Sequence, residues 1–179
     1  MPKARPRMTG ALRCLALVLT LALTWSAAAL VPPARAGGAS ETPLLLILGP
    51  DGSRLASVDR AALDALPQVA FTTTTIWTNG PQEFAGVPLA VLLDHYGIEA
   101  ARLDLAAAND YTVTLPAEGI GPVHPVIAHS RNGAPMSLRD KGPLWLVYDY
   151  DSDPQFQTET IYMRSIWQLD RITAHPPPG

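Results

Sequence analysis

Hydrophobic and polar positions divide the chain into one long apolar opening and a remainder made of short, interrupted runs. Residues 14–31 hold no charged side chain and follow a stretch that carries Lys3, Arg5, Arg7 and Arg13. After residue 36, 14 of the 18 prolines break the apolar runs into pieces too short for a helical bundle. Residues 44–48 form an apolar run of strand length, and Gly49-Pro50-Asp51-Gly52 supplies a tight turn, so an opening β-hairpin is expected. Ser57 is suited to cap a short helix over residues 58–66, which Pro67 ends. Residues 69–76, with four consecutive β-branched threonines, read as a strand.

The plainest helix pattern lies over residues 88–96, with Pro88 in the first turn, Leu89, Leu92 and Leu93 on one face, and Gly97 as the stop. Residues 103–107 and 111–115 predict a second hairpin around Asn109-Asp110. Residues 126–130 and 144–148 add strands, with Asn132-Gly133 turning between them, and residues 166–174 close the chain in extended form. Many short strands with two short helices predict an α+β, β-dominated domain.

Charge changes the picture once it is divided along the chain. The net charge of −3 includes five cations among residues 1–36, where there is no Asp or Glu, so the remainder carries 8 positive against 16 negative charges, a net of −8. A basic start, an apolar run and the small residues of Ala34-Arg35-Ala36 form the pattern of a secretory signal peptide over residues 1–36. An uncleaved membrane anchor is the alternative, because the 18-residue apolar run approaches bilayer length. Both send the rest out of the cytoplasm, and the lack of an Arg-Arg pair favours a Sec-type signal and a periplasmic or secreted protein. Residues 37–43 then read as a flexible lead, residues 44–174 as one domain and residues 175–179 as a tail. The only cysteine, Cys14, lies in the leader, so its removal would exclude a disulfide framework, a Cys metal site and a Cys nucleophile.

Candidate chemistry is sparse. His124 and His129 are spaced to opposite faces of a strand, which favours surface or capping roles over a metal site, and His95 suits the end of its helix. Asp149, Asp151 and Asp153 alternate like the start of a calcium loop, but the glycine and the closing Glu are missing, so a solvated acidic loop is expected. No nucleophile elbow and no phosphate-cradling loop occurs, and the acidic balance disfavours nucleic acid. One cluster stands out. Arg139 and Lys141 precede an aromatic series of Trp145, Tyr148, Tyr150, Tyr162 and Trp167, with Trp77 elsewhere, and such a set can line a pocket for an anionic or planar ligand. The alternative is that the tryptophans are core.

Four segments carry a family resemblance. They run from Phe84 to Gly97, from Asn109 to Pro116, from Asn132 to Val147 (with Asp140-Lys141-Gly142-Pro143-Leu144-Trp145 inside it) and from Arg164 to Ile172. In order and spacing the chain resembles the sulfite oxidase-like molybdopterin-binding domain, in its short exported stand-alone form. The resemblance implies that fold and an oxidoreductase ancestry with molybdopterin as cofactor. It also implies a metal-binding cysteine after the strand at residues 69–76, where this chain has Thr73-Thr74-Thr75-Ile76-Trp77-Thr78-Asn79. The family's His-Gly-x-Pro-x-Arg motif aligns with Asp140 to Trp145, so Asp140 replaces its histidine and Trp145 its arginine, and Trp167 replaces a phosphate-binding lysine.

A dianionic phosphate needs charge-assisted donors, and these replacements remove them. The expectation is therefore a non-redox exported module without bound cofactor, catalytic residue or metal. Trp77, Arg139, Lys141, Trp145 and Trp167 would form a pocket for a small ligand or an envelope partner. The alternative is a molybdopterin-dependent oxidoreductase that holds its cofactor without a protein cysteine, so enzyme status stays open.

Overall fold

The structure, a computed structural model, describes residues 42–177. The expected signal peptide and most of the lead lie outside the described residues. No helix among the described residues is long and apolar enough to cross a membrane.

The opening hairpin forms as the sequence predicts. β1 (Leu45–Leu48) pairs antiparallel with β2 (Arg54–Val58), and Gly52 at φ 79° supplies the left-handed turn residue. Ser57 is not a helix cap. It lies within β2, and the cap is Asp59, whose side chain accepts from the Ala62 N–H at 2.8 Å and starts α1 (Arg60–Asp64). An aspartate reaches that N–H as well as a serine does, and the buried Val58 belongs to the sheet.

β3 (Val69–Thr73) is shorter than expected and is followed by β4 (Gln82–Pro88), which the hydrophobic pattern did not reveal. α2 (Leu89–His95) buries Leu89, Leu92 and Leu93 and stops before Gly97 at φ 62°. β5 (Arg102–Ala107) and β6 (Thr112–Pro116) form the second hairpin. Asn132-Gly133 turns β7 (Val126–Arg131) into β8 (Ala134–Pro135), not into the later strand β9 (Trp145–Val147), which pairs with β7 directly at Ile127↔Leu146. A third helix, α3 (Glu159–Arg164), precedes β10 (Leu169–His175), so the expected tail residue His175 is still within a strand.

One sheet has the order β2-β1-β10-β5-β6, with β10 parallel to β1 and antiparallel to β5. The other has the order β3-β4-β7-β8, with β9 also on β7. The larger core lies against the first sheet and α2 and takes Val87, Ile127 and Leu146 from the second, with Leu144 from just before β9. Their neighbours Val126, Ala128, Trp145 and Val147 point the other way, into a second core with Phe84 and Met136. β7 and β9 are therefore buried on both faces, and the second core opens onto the aromatic cluster described next. The fold is α+β and β-dominated.

Candidate ligand site

The loop after β3 builds the first wall of the site. Thr75 Oγ1 accepts from the Trp77 N–H at 3.1 Å and lies 2.8 Å from Thr78 Oγ1, which folds the chain back and presents Trp77. Asp151 ties this loop to the segment after β9. Its carboxylate accepts from the Thr74 hydroxyl at 2.7 Å and the Thr74 N–H at 2.6 Å, and its own N–H donates to Thr73 Oγ1 at 3.0 Å. The hydroxyl bond and then the N–H bond hold the Asp151 carboxyl below its ordinary range. The acidic loop is therefore a structural clamp as well as a solvated surface, and part of the threonine run serves the turn instead of the strand.

Trp77, Trp145 and Trp167 converge. Trp77 lies edge-on to Trp145 at 5.9 Å and to Trp167 at 5.8 Å between centroids, and Trp145 meets Trp167 at 6.2 Å. Tyr162 closes on Trp77 at 5.8 Å and on Tyr150 at 5.4 Å. Trp145 is fully buried, whereas Trp77 and Trp167 are half-buried and reach the surface. Lys141 stands over Trp167, with Nζ 4.3 Å from the ring centroid, and 5.6 Å from that of Trp145. Its left-handed backbone, φ 72°, and the bond from the Gln168 N–H to its carbonyl place it there. Arg139 is exposed in the 3-10 turn Leu138–Asp140 and joins no ion pair or side-chain hydrogen bond among the described residues.

Beside this cluster lies a cleft of about 750 Å³. Trp77 and Trp167 form part of its wall, Asn109 and Tyr111 come from the β5–β6 turn, and Glu159, Tyr162 and Met163 come from α3. Trp145 lies behind that wall, and neither Arg139 nor Lys141 contributes to it. The large apolar side chains left most exposed around it are Ile76 at 65%, Met163 at 61% and Tyr111 at 54%. Such a grouping at one mouth marks a binding surface more than scattered exposure does. The α3 wall escaped the sequence reading because that helix buries no residue fully and so has no apolar stripe. Its one local signal is Thr158, whose Oγ1 accepts from the Ile161 N–H at 3.4 Å.

A second cavity, about 480 Å³, lies beside the other face of α3 and is lined by His124, Tyr148, Phe156 and Arg164 among others. Arg164 thus lies away from the aromatic cleft. Burial pushes the Tyr148 hydroxyl up to about 12, and its oxygen has no hydrogen-bond partner among the described residues. Tyr150, equally buried, donates to Ser165 Oγ at 2.7 Å, and Ser165 Oγ donates on to the Ile161 carbonyl at 2.8 Å. The two tyrosines should therefore respond oppositely to loss of the hydroxyl. Tyr148→Phe is expected to leave stability unchanged or raise it by up to about 1 kcal/mol, and Tyr150→Phe to lower it by about 1 kcal/mol. Urea unfolding midpoints of the two variants check this, and equal losses would contradict it.

His129 is buried, not at the surface. Nε2 pairs with Gln68 Oε1 at 2.8 Å, and burial, with Arg60 nearby, lowers its pKa. His124 is wedged between Phe71 and Phe156 at 5.3 and 5.4 Å, and burial lowers its pKa too. Among the described residues no three His, Cys, Asp or Glu side chains converge as a metal-binding group.

No family model matches the chain, and no curated protein does. The solved structure of the sulfane dehydrogenase SoxCD from Paracoccus pantotrophus is similar, with a TM-score of 0.55 and 20% identity over 74% of this chain. The match covers 38% of that chain, so this protein corresponds to well under half of it. The likeness is one of fold, and the sulfite oxidase-like, β-dominated α+β architecture expected from the sequence is the one observed.

Proposed function

We propose that the protein is an exported, non-redox member of the sulfite oxidase-like fold whose aromatic cleft binds a small ligand in the periplasm or outside the cell. The observation that carries this reading is the cleft itself, walled by Trp77, Tyr162 and Trp167 beside the loop where the family places its metal-binding thiolate. A concavity of about 750 Å³ is the size of small-molecule sites and encloses more than a flat docking surface would.

The residues present do not fit molybdopterin. Its phosphate needs Arg or Lys donors, and no cation lines the cleft; Lys141, which stands at none of the matched positions, is engaged on two indole rings. Its metal is held in the family by a thiolate, whereas this cleft offers the thioether of Met163 and one exposed carboxylate, that of Glu159. The chemistry left to the cleft is binding by ring faces, apolar contact, the amide of Asn109 and the carboxylate of Glu159.

Two measurements on protein purified from a molybdenum-replete native host test this. Metal and pterin content should be far below stoichiometric, and Trp77→Ala should reduce the tryptophan fluorescence response to a bound ligand to the part that comes from Trp167. Molybdenum with an organic pterin near one per chain would overturn the proposal and establish the cofactor-dependent oxidoreductase instead.

A further inference from the structure

Arg139 and Lys141 beside the aromatic series suggest an anionic or planar ligand, and the placement of charge around the cleft favours the opposite sign. Tyr111, Tyr162, Trp77 and Trp167 supply ring surface, and the one charged side chain in the wall is the carboxylate of Glu159, at the start of α3. No Lys or Arg lines the cleft. Every aromatic face carries negative potential, so rings and carboxylate favour the same sign of charge. Lys141 gives an internal precedent, because its ammonium sits 4.3 Å from the Trp167 centroid without a carboxylate partner among the described residues. The chain beyond residue 36, with 8 cations against 16 anions, adds a long-range field that draws cations.

We propose that the cleft selects a small organic cation with an apolar body, of the quaternary or protonated amine class, held by the rings of Trp77 and Tyr162 with Glu159 at its rim, while Trp167, whose ring already carries the Lys141 ammonium, serves as apolar wall. The proposal rests on the reading of the cleft as a ligand site and adds the charge of what enters it. Ile76 and Met163 would cover the apolar body, and the carboxylate would face the ammonium.

Three compounds of nearly one shape test it, followed by tryptophan fluorescence and calorimetry on the whole protein. They are choline, its neutral isostere 3,3-dimethylbutan-1-ol, and 3,3-dimethylbutanoate. Choline should bind about tenfold more tightly than the alcohol, and the carboxylate more weakly than either. Glu159→Gln should bring choline toward the alcohol's affinity while leaving the alcohol unchanged, and thermal melts should show that the variant is folded. Equal binding of choline and the alcohol would overturn the cation assignment while leaving the cleft a small-ligand site. Preference for the carboxylate would overturn it outright, and saturable binding of none of the three would overturn the cation assignment too, while the reading of the cleft as a small-ligand site would still stand or fall on the metal and pterin content.

Discussion

Alanine at Gly86 should leave little folded protein. Gly86 lies in β4, where a Cβ would stand 2.0 Å from the Ile127 carbonyl oxygen, 2.6 Å from the Ala128 Cα and 2.7 Å from the Ile127 carbonyl carbon. All three are backbone atoms of the paired strand, so no rotamer change relieves the overlap. The pairing itself explains the closeness. Ala85 faces Ser130 while Gly86 faces Ala128, so His129 is an extra residue in β7, and the irregularity brings the β7 backbone over the glycine. The substitution must part β4 from β7, the strand that also holds β8 and β9. A loss above about 4 kcal/mol is expected, a large share of the about 5–15 kcal/mol that keeps a domain folded. Gly133→Ala is the contrast. Its φ is 74° but nothing lies within 4 Å of the added carbon, so it should cost only about 1–2 kcal/mol. Soluble yield, far-UV circular dichroism and urea midpoints would separate the two, and a well-folded Gly86→Ala protein would refute the argument.

Trp145→Ala should be the next most damaging change, and its cost should fall on stability instead of on ligand contact. The side chain is fully buried, meets Phe84 edge-on at 5.3 Å and supports both cleft tryptophans from behind. Its backbone pairs with Ala128 on one side and bridges to Trp167 on the other. Removing the indole opens a cavity on a site whose neighbours are themselves rings that cannot easily move in, so a loss of about 3–5 kcal/mol is expected. The indole Nε1 has no partner among the described residues, which makes Trp145→Phe informative, because it keeps much of the packing and drops the unmet donor. Trp145→Phe should lose less than half of what Trp145→Ala loses. Trp77→Ala removes a half-buried ring and should cost less stability than Trp145→Ala while emptying one wall of the cleft. Denaturant midpoints of the three variants rank these effects, and Trp145→Ala within about 1 kcal/mol of the parent would sink this account.

What the chain's pattern disclosed depended on how each element is buried. The hairpin around Asn109-Asp110 and the helix with Leu89, Leu92 and Leu93 have one buried and one more solvated side, so alternation or helical spacing shows in the sequence, while the opening hairpin shows through its apolar run and the turn residues Gly49 to Gly52. β4 does not show, because Phe84, Gly86, Val87 and Pro88 are all buried and the alternation is lost toward its end. The meeting of the three tryptophans was suggested by composition and family motifs, but their division of labour was not. That division depends on β9 facing two cores, with Trp145 and Val147 on one and Leu144 and Leu146 just behind the other. The carboxylate in the cleft wall was invisible for a related reason. Glu159 reads as an ordinary first-turn residue of an exposed helix until the fold brings Trp77 and Tyr111 opposite.

The parallel pairing of β1 with β10 also sets a timetable. Leu46 and Arg171 are partners at opposite ends of the described chain, and β10 is the middle strand of its sheet. Until it arrives, the β1–β2 and β5–β6 hairpins are two-stranded pieces with no strand between them, and isolated hairpins are barely stable in water. Closing so long a loop is slow, so the sheet is completed only after the whole domain is available.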